Sequence, residues 1–330
     1  MQNIYFFCRV IVWSKALSYV WGMKTYLKER KEYLTWRKNY YHLSSDGWQE
    51  GKLFHQDSQF AYGMSLVGLL TLRFKITIYD FTLMDNHIHL LLSGTGAECC
   101  AAFDYFRLKL SARLVKDGYP PLPTGYGFKL KPVNNEEQMR INYLYIDRNA
   151  LDKGLCIPGG YPWGSAYLNC SQMSKYFQGV SASSLSNNKM EQMLGTRTPI
   201  PSHWQFHPKL GLLPECFVNT TLFKRLFPSP KDYQTRLVKE YEAFVKLGQA
   251  LHESIILTEQ EIVEMADRIV RNTFPGKQIQ SLSNDEKGKL CVTLVSQFSL
   301  TTSQVAGVLS MPEYLVKQFL SSKDYGKKKW

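Results

Sequence analysis

Residues 76–93 read I-T-I-Y-D-F-T-L-M-D-N-H-I-H-L-L-L-S, two apolar, β-branched and aromatic runs broken at Met84-Asp85-Asn86. Asp-Asn is a turn pair, so the pattern predicts a hairpin whose second strand opens on His87. Around it, the alternation of apolar and polar positions predicts a strand at 39–45, a helix at 58–73, strands at 75–83 and 87–93, a helix at 99–117 and a strand at 128–133. Residues 138–154 follow the acidic opening Asn135-Glu136-Glu137 and close on Gly154. They predict a helix of roughly four to five turns. Four strands and flanking helices in this order suit an α+β fold, a ferredoxin-like layer of helices on one antiparallel sheet.

Beyond residue 170 the pattern changes. Residues 171–232 are rich in Ser, Asn and Pro and read as a linker followed by an ordered loop, in which Trp204, Phe206 and Phe217 call for burial. His203 and His207 are four apart, but prolines at 199, 201 and 208 argue against the helix that would align them as ligands. The last hundred residues read as all-α. Thr258-x-x-Glu261, Ser283-x-x-Glu286, Thr301-x-x-Gln304 and Ser310-x-x-Glu313 each have capping-box form. The final two predict short helices at 303–309 and 311–320, spaced as in a helix-turn-helix. The second would turn Glu313, Tyr314, Lys317 and Gln318 outward, with Val305, Leu309, Leu315 and Phe319 inward. A small helical bundle without DNA contact would give the same pattern. The expected division is a 1–34 extension, basic from 24, a 35–175 domain, a 176–231 linker and loop, and a 232–330 helical domain.

Strand alternation puts His87 and His89 on one face and Ile88 on the other. Paired imidazoles suit a divalent metal, and they equally suit two rings hydrogen-bonded at a sheet face. On the following helix Tyr145 and Asn149 are four apart and share a face, whereas Tyr143 and Asn149, six apart, do not. A tyrosine at helical spacing can also simply fill a core.

Three motifs in order carry a family resemblance: L-M-D-N-H-I-H-L-L-L-S-G, Y-I-D-R-N-A-L-D-K-G-L and Y-P-W-G-S-A-Y, preceded by Tyr40-Tyr41-His42-Leu43-Ser44-Ser45-Asp46-Gly47. From residue 35 to 170 the chain resembles the REP-associated tyrosine transposases, single-tyrosine HUH transposases whose pattern is M-P-N-H-hydrophobic-H followed by Y-I-x-x-N-P-x-x-A-G-L and Y-P-W-S-S. Asp85 stands in place of that family's proline, Ala150 in place of the proline after the asparagine, and Asp46 where a basic residue is common. The first two alter local stiffness and the third the grip on DNA.

The resemblance implies an HUH endonuclease domain in which Tyr145 attacks single-stranded or hairpin DNA, giving a 5′-phosphotyrosine link and a free 3′-hydroxyl. It implies a divalent ion, Mg²⁺ or Mn²⁺, on His87, His89 and Asn149. Imidazole ligands favour ready acceptance of Mn²⁺. A DNA-binding relative that no longer cuts is the alternative. A zinc hydrolase ranks below both, because the chain has no H-E-x-x-H and no convincing third histidine.

A net charge of +12 points to a polyanion, and nucleic acid fits better than membrane because no span of eighteen apolar residues occurs. On the 99–117 helix, Lys109, Arg113 and Lys116 form a basic stripe opposite Phe103, Phe106 and Leu110. It reads either as a solvated face or as phosphate contacts, joined in the second case by Lys129, Lys131, the segment 24–38 and, in the C-terminal helices, Lys317. Tyr41, Trp48 and Tyr126 are candidate base-stacking rings. Seven cysteines without a C-x-x-C pair suggest reduced thiols and a cytoplasmic, nucleoid-associated protein. The first 22 residues lack the basic start of a signal peptide, and Met23 is an alternative start to Met1. A homodimer is compatible with the sequence, which leaves assembly of the site within one subunit or across two open.

Overall fold

The computed structural model describes residues 28–45, 51–123, 125–152, 158–170, 177–251, 257, 259–298 and 300–322. The first elements are β1 (Asn39–Ser45), α1 (Asp57–Arg73), β2 (Thr77–Leu83), β3 (Ile88–Gly94), α2 (Gly96–Lys116), β4 (Phe128–Val133) and α3 (Glu136–Asp152). The four strands form one antiparallel sheet in the order β2-β3-β1-β4. The two strands with the longest buried runs, β1 and β3, are central. β4, with Lys129, Lys131 and Pro132, lies at an edge, where proline's missing N–H breaks no ladder.

Register sorts the side chains into two faces. One row across all four strands is Phe81, Leu90, Leu43 and Leu130; the next is Thr82, His89, Ser44 and Lys129; a third is Asp80, Leu91, His42 and Lys131. Because neighbours alternate, the first row faces away from the other two. The apolar face packs on α1 and α2. Phe103 of α2 meets Phe128 of β4 with ring centroids 4.5 Å apart, and Gly63 of α1 lies against Leu83 and Phe54. Each fully buried aromatic ring contributes roughly 1.5–3 kcal/mol relative to exposure. The polar face lies under α3, where Thr82 Oγ1 donates to the Ile146 carbonyl at 3.1 Å.

α2 begins earlier than expected because Thr95 and Glu98 cap it reciprocally, Thr95 N–H donating to Glu98 Oε2 at 2.8 Å and Glu98 N–H to Thr95 Oγ1 at 3.2 Å. At its first position a Cβ on Gly96 would lie 1.8 Å from the Tyr33 carbonyl oxygen, so only glycine fits that approach. The Y-P-W-G-S motif braces the outer edge of β2. Leu83 N–H donates to the Trp163 carbonyl at 2.8 Å, Ser165 N–H to Phe81 O at 3.0 Å, and the Tyr161 hydroxyl to Leu83 O at 2.8 Å.

The described part of 176–231 is not a linker. Its strands β5 (Val180–Ser181), β6 (Gln205–His207) and β7 (Gly211–Leu212) form a second small sheet. Trp204, Phe206 and Phe217 are buried as expected, and they join the same apolar core as Leu43 and Phe81. Compactness divides the chain after Tyr233 rather than near 175.

The second unit, from Gln234, has its own core, including Ile262, Leu290, Leu294, Val305 and Val316. Capping boxes form at Ser283/Glu286 and Thr301/Gln304, while Thr258 lies outside the described residues. Ser310 caps nothing: it takes φ +48°, and the helix Glu313–Ser321 is preceded by Pro312 at its N-cap. Val316 rather than Leu315 is the fully buried position on that helix, whose Tyr314 is 67 % exposed. Among the described residues no helix is long and apolar enough to cross a membrane.

On the side of α3 away from the histidines, Asp147 is hydrogen-bonded to Asp80 and accepts the Tyr233 hydroxyl at 2.7 Å; Ser165 Oγ donates to Asp80 at 2.6 Å. Among the described residues Asp80 Oδ2 and Asp147 Oδ1 are both buried with no protein donor, which one shared proton satisfies. Burial, opposed by its hydrogen bonds, pushes the Asp147 carboxyl up to about 7. A raised carboxyl pKa stabilises the fold fully below about pH 4 and loses that contribution as pH rises through about 7. The melting temperature is therefore expected to fall between about pH 4 and about pH 7, and Asp147→Asn to flatten that slope. Thermal melts across this range check it; a melting temperature that rises with pH contradicts the shared proton.

Candidate active site

His87 closes the β2–β3 turn instead of opening β3. Met84 N–H donates to the His87 carbonyl at 2.8 Å, and the Asp85 carbonyl accepts from Leu53 and Phe54 N–H at 2.6 and 3.1 Å. The turn is thus held from both sides, with Asn86 Oδ1 2.7 Å from His87 Nδ1. Although β3 begins one residue later than expected, at Ile88, the two imidazoles still converge, with ring centroids 4.8 Å apart.

α3 offers Asn142, Tyr145 and Asn149 to the same place, one helical face at i, i+3 and i+7. His87 Nε2 lies 3.1 Å from Asn149 Oδ1. The Tyr145 ring sits edge-on to His89, with centroids 5.6 Å apart. His87, His89, Tyr145 and Asn149, which the resemblance joins, lie together in the structure. Tyr143 points the other way, into Phe223 and Phe227, where burial first and the Asp80 and Asp147 charges second drive its phenol far above the ordinary value.

Two further members were missed. His42 on β1 is 0 % exposed, with Nε2 3.0 Å from His89 Nδ1 and Nδ1 2.6 Å from Asn142 Oδ1. His42 approaches His89 through the pairing of β1 with β3, which spacing does not signal, whereas Asn142 is marked by its three-residue step to Tyr145.

Burial, then the neighbouring His87 charge, hold the His89 pKa well below the ordinary imidazole value, with the Asn149 amide opposing. His89 is therefore a neutral ring near pH 7, the form that ligates metal. Asn149 Nδ2 donates to the Tyr145 carbonyl at 2.9 Å, which leaves Oδ1 turned toward the histidines. Two imidazole nitrogens and an amide oxygen can hold a divalent transition-metal ion such as Mn²⁺, whereas Mg²⁺ prefers oxygen ligands. Among the described residues no group of three His, Cys, Asp or Glu side chains is arranged to hold a metal. His203 lies in a turn and His207 in β6.

The basic residues separate. Lys129 and Lys131 stand in register with Ser44 and His42, on the histidine face of the sheet, and burial lowers the Lys131 pKa. The α2 stripe does not flank the site, because α2 covers the opposite face. There Lys109 Nζ donates to the Gly195 carbonyl at 2.8 Å, Arg113 is paired with Asp117 at 2.9 Å, and Lys116 is exposed. Lys317 is exposed on the second unit, 2.9 Å from Glu313. Tyr41 and Tyr126 are buried rings unsuited to base stacking, and Trp48 lies outside the described residues.

No protein-family model matches the chain, and no curated protein matches it. Among solved structures it is similar to a REP-associated tyrosine transposase bound to a REP hairpin, at 11 % identity over 40 % of this chain and 79 % of that one, with a TM-score of 0.33.

Proposed function

We propose that the first unit is a metal-dependent single-stranded DNA endonuclease and strand transferase of the HUH type, acting on single-stranded or hairpin DNA. The observation that carries this reading is the convergence of His87 and His89 with Tyr145 and Asn149, from segments about sixty residues apart, beside two lysines on the same sheet face. The strand order β2-β3-β1-β4, with helices after β1 and β3, supports a ferredoxin-like frame.

In this mechanism the Tyr145 oxygen attacks phosphorus, the bond to the 3′ oxygen breaks, and the DNA is left joined through its 5′ phosphate to the tyrosine. The exchange of one phosphodiester for another conserves its energy, so the freed 3′-hydroxyl can reverse it without a nucleotide cofactor. His87, His89 and Asn149 would hold the divalent ion, which when bound polarises the phosphate and offsets charge growing on its oxygens. Lys129 and Lys131 would steer the strand by its phosphates without reading sequence.

A second reading, a DNA-binding protein that no longer cuts, is favoured by one observation: Tyr145 is 4 % exposed. A single-stranded oligonucleotide labelled on its 3′ side separates the two. A protein–DNA adduct formed with Mn²⁺ and absent in EDTA supports the transferase; DNA binding without any adduct supports the silent relative.

The helix Glu313–Ser321 of the second unit would add affinity through Tyr314, Lys317 and Gln318. Lys317→Ala is then expected to reduce the salt dependence of DNA binding by about one unit of log-log slope. Titrations between low and moderate salt measure this, and an unchanged slope removes Lys317 from the interface.

A further inference from the structure

We propose that His42 and Asn142 form a positioning relay that fixes the tautomer and orientation of His89, so that His89 Nε2 carries the lone pair needed by a metal ion; the metal part of this inference rests on the reading above. Followed from the Asn142 end, the hydrogen-bond directions run in sequence, while the Asn149 amide, whose oxygen also faces the histidines, favours the opposite His89 tautomer. Asn142 Nδ2 lies 2.6 Å from the Gln138 carbonyl, an acceptor only, so that end of the amide is the NH₂ group and the other is the oxygen. Asn142 Oδ1 can only accept, and His42 Nδ1, 2.6 Å away, must therefore carry a hydrogen. In neutral His42 this makes Nε2 an acceptor. His89 Nδ1, 3.0 Å from it, must then be the donor, and neutral His89 keeps its lone pair on Nε2.

The relay runs from a backbone carbonyl of α3 through β1 to β3. His42, Asn142 and His89 are all buried, so water does not readily substitute for a missing partner. A metal-bound histidine generally has its second nitrogen tied in this way, and losing that tie weakens metal binding by about ten- to a hundredfold. His42 and Asn142 touch no reacting atom in this scheme; they act through His89.

The test uses the full-length protein with ¹⁵N-labelled histidine and no metal. Long-range ¹H–¹⁵N spectra should give His89, assigned by the signal lost in His89→Gln, as the Nδ1–H tautomer, and Asn142→Leu should shift it toward Nε2–H. Mn²⁺ titration followed by electron paramagnetic resonance should show affinity lower by about ten- to a hundredfold in His42→Phe and Asn142→Leu. His42→Gln offers an amide oxygen to His89 Nδ1–H and should keep affinity close to wild type. If His42→Phe does not fold, Asn142→Leu and His42→Gln carry the comparison.

An Nε2–H tautomer of His89 in the wild type overturns the relay whatever the metal does. Wild-type affinity in both His42→Phe and Asn142→Leu overturns it as well. A wild type that shows the Nδ1–H tautomer yet binds no Mn²⁺ refutes the metal-dependent reading and leaves the relay standing as a structural device.

Discussion

Tyr145→Phe is expected to abolish the covalent protein–DNA adduct while leaving DNA and Mn²⁺ affinity near wild type. Only the phenolic oxygen is removed; the ring that packs edge-on to His89 and 5.8 Å from the His42 centroid stays. No neighbouring hydroxyl on α3 can take over. Tyr143 lies on the opposite face of the helix, its phenol held neutral by burial and by the Asp80 and Asp147 charges. Tyr143→Phe should therefore cut normally. Its hydroxyl is buried with no hydrogen-bond partner among the described residues, so its loss should leave stability unchanged or raise it by about 1 kcal/mol. Denaturing gels of each variant with a 3′-side-labelled oligonucleotide decide the matter. An adduct that persists in Tyr145→Phe and disappears in Tyr143→Phe would reverse the roles of the two tyrosines.

The strand pattern was legible because each strand of the main sheet has one buried apolar face, and a period of two cannot be mistaken for a helix over seven residues. β1 and β4 span the residues their alternation predicts. Tyr145 and Asn149 were legible for a similar reason, since a four-residue step on a capped helix leaves little choice of face. What failed was anything that depends on which strand neighbours which. His42 is adjacent to His89 only because β1 lies beside β3, and sequence spacing gives no hint of that pairing. The α2 stripe has the right helical period, yet the period does not say on which side of the sheet the helix lies.

Other misreadings have local causes. The Ser- and Pro-rich stretch after 176 suggested a linker, but Phe206 and Leu212 pair in adjoining strands and bury against α1, where Gly68 makes room for Leu212 and Phe217. Tertiary burial overrode composition there. Ser310 matched a capping box by letter, but Pro312 occupies the N-cap, and Glu313 instead accepts from Thr302 and pairs with Lys317. The Y-P-W-G-S segment served as a family marker, whereas its contacts are to the edge of β2: a Cβ on Gly164 would meet the Phe81 carbonyl at 2.7 Å. A motif can persist through a strand-bracing role and contribute nothing to chemistry directly.

His87→Ala and His89→Ala are each expected to lower the cleavage rate by about a thousandfold at millimolar Mn²⁺, the scale of losing a main stabiliser of transition-state charge. Asn149→Ala should be milder, because a water can replace an amide oxygen on the ion, and raised Mn²⁺ should restore much of its rate. The three variants differ in what else they disturb. His87 stands at the turn and contacts Asn86 and Asn149, so its removal leaves the β3 ladder intact. His89 is buried within β3 and holds His42, so His89→Ala opens a cavity and is expected to melt earlier as well. Single-turnover cleavage followed against Mn²⁺ concentration, with metal-free DNA affinity measured in parallel, tells a lost ligand from a lost fold. A ligand loss moves the metal dependence and spares DNA affinity, and a fold loss lowers both. Cleavage by the wild type that survives EDTA would remove the metal from the mechanism and leave the histidines to act, if at all, as hydrogen-bond donors to the phosphate.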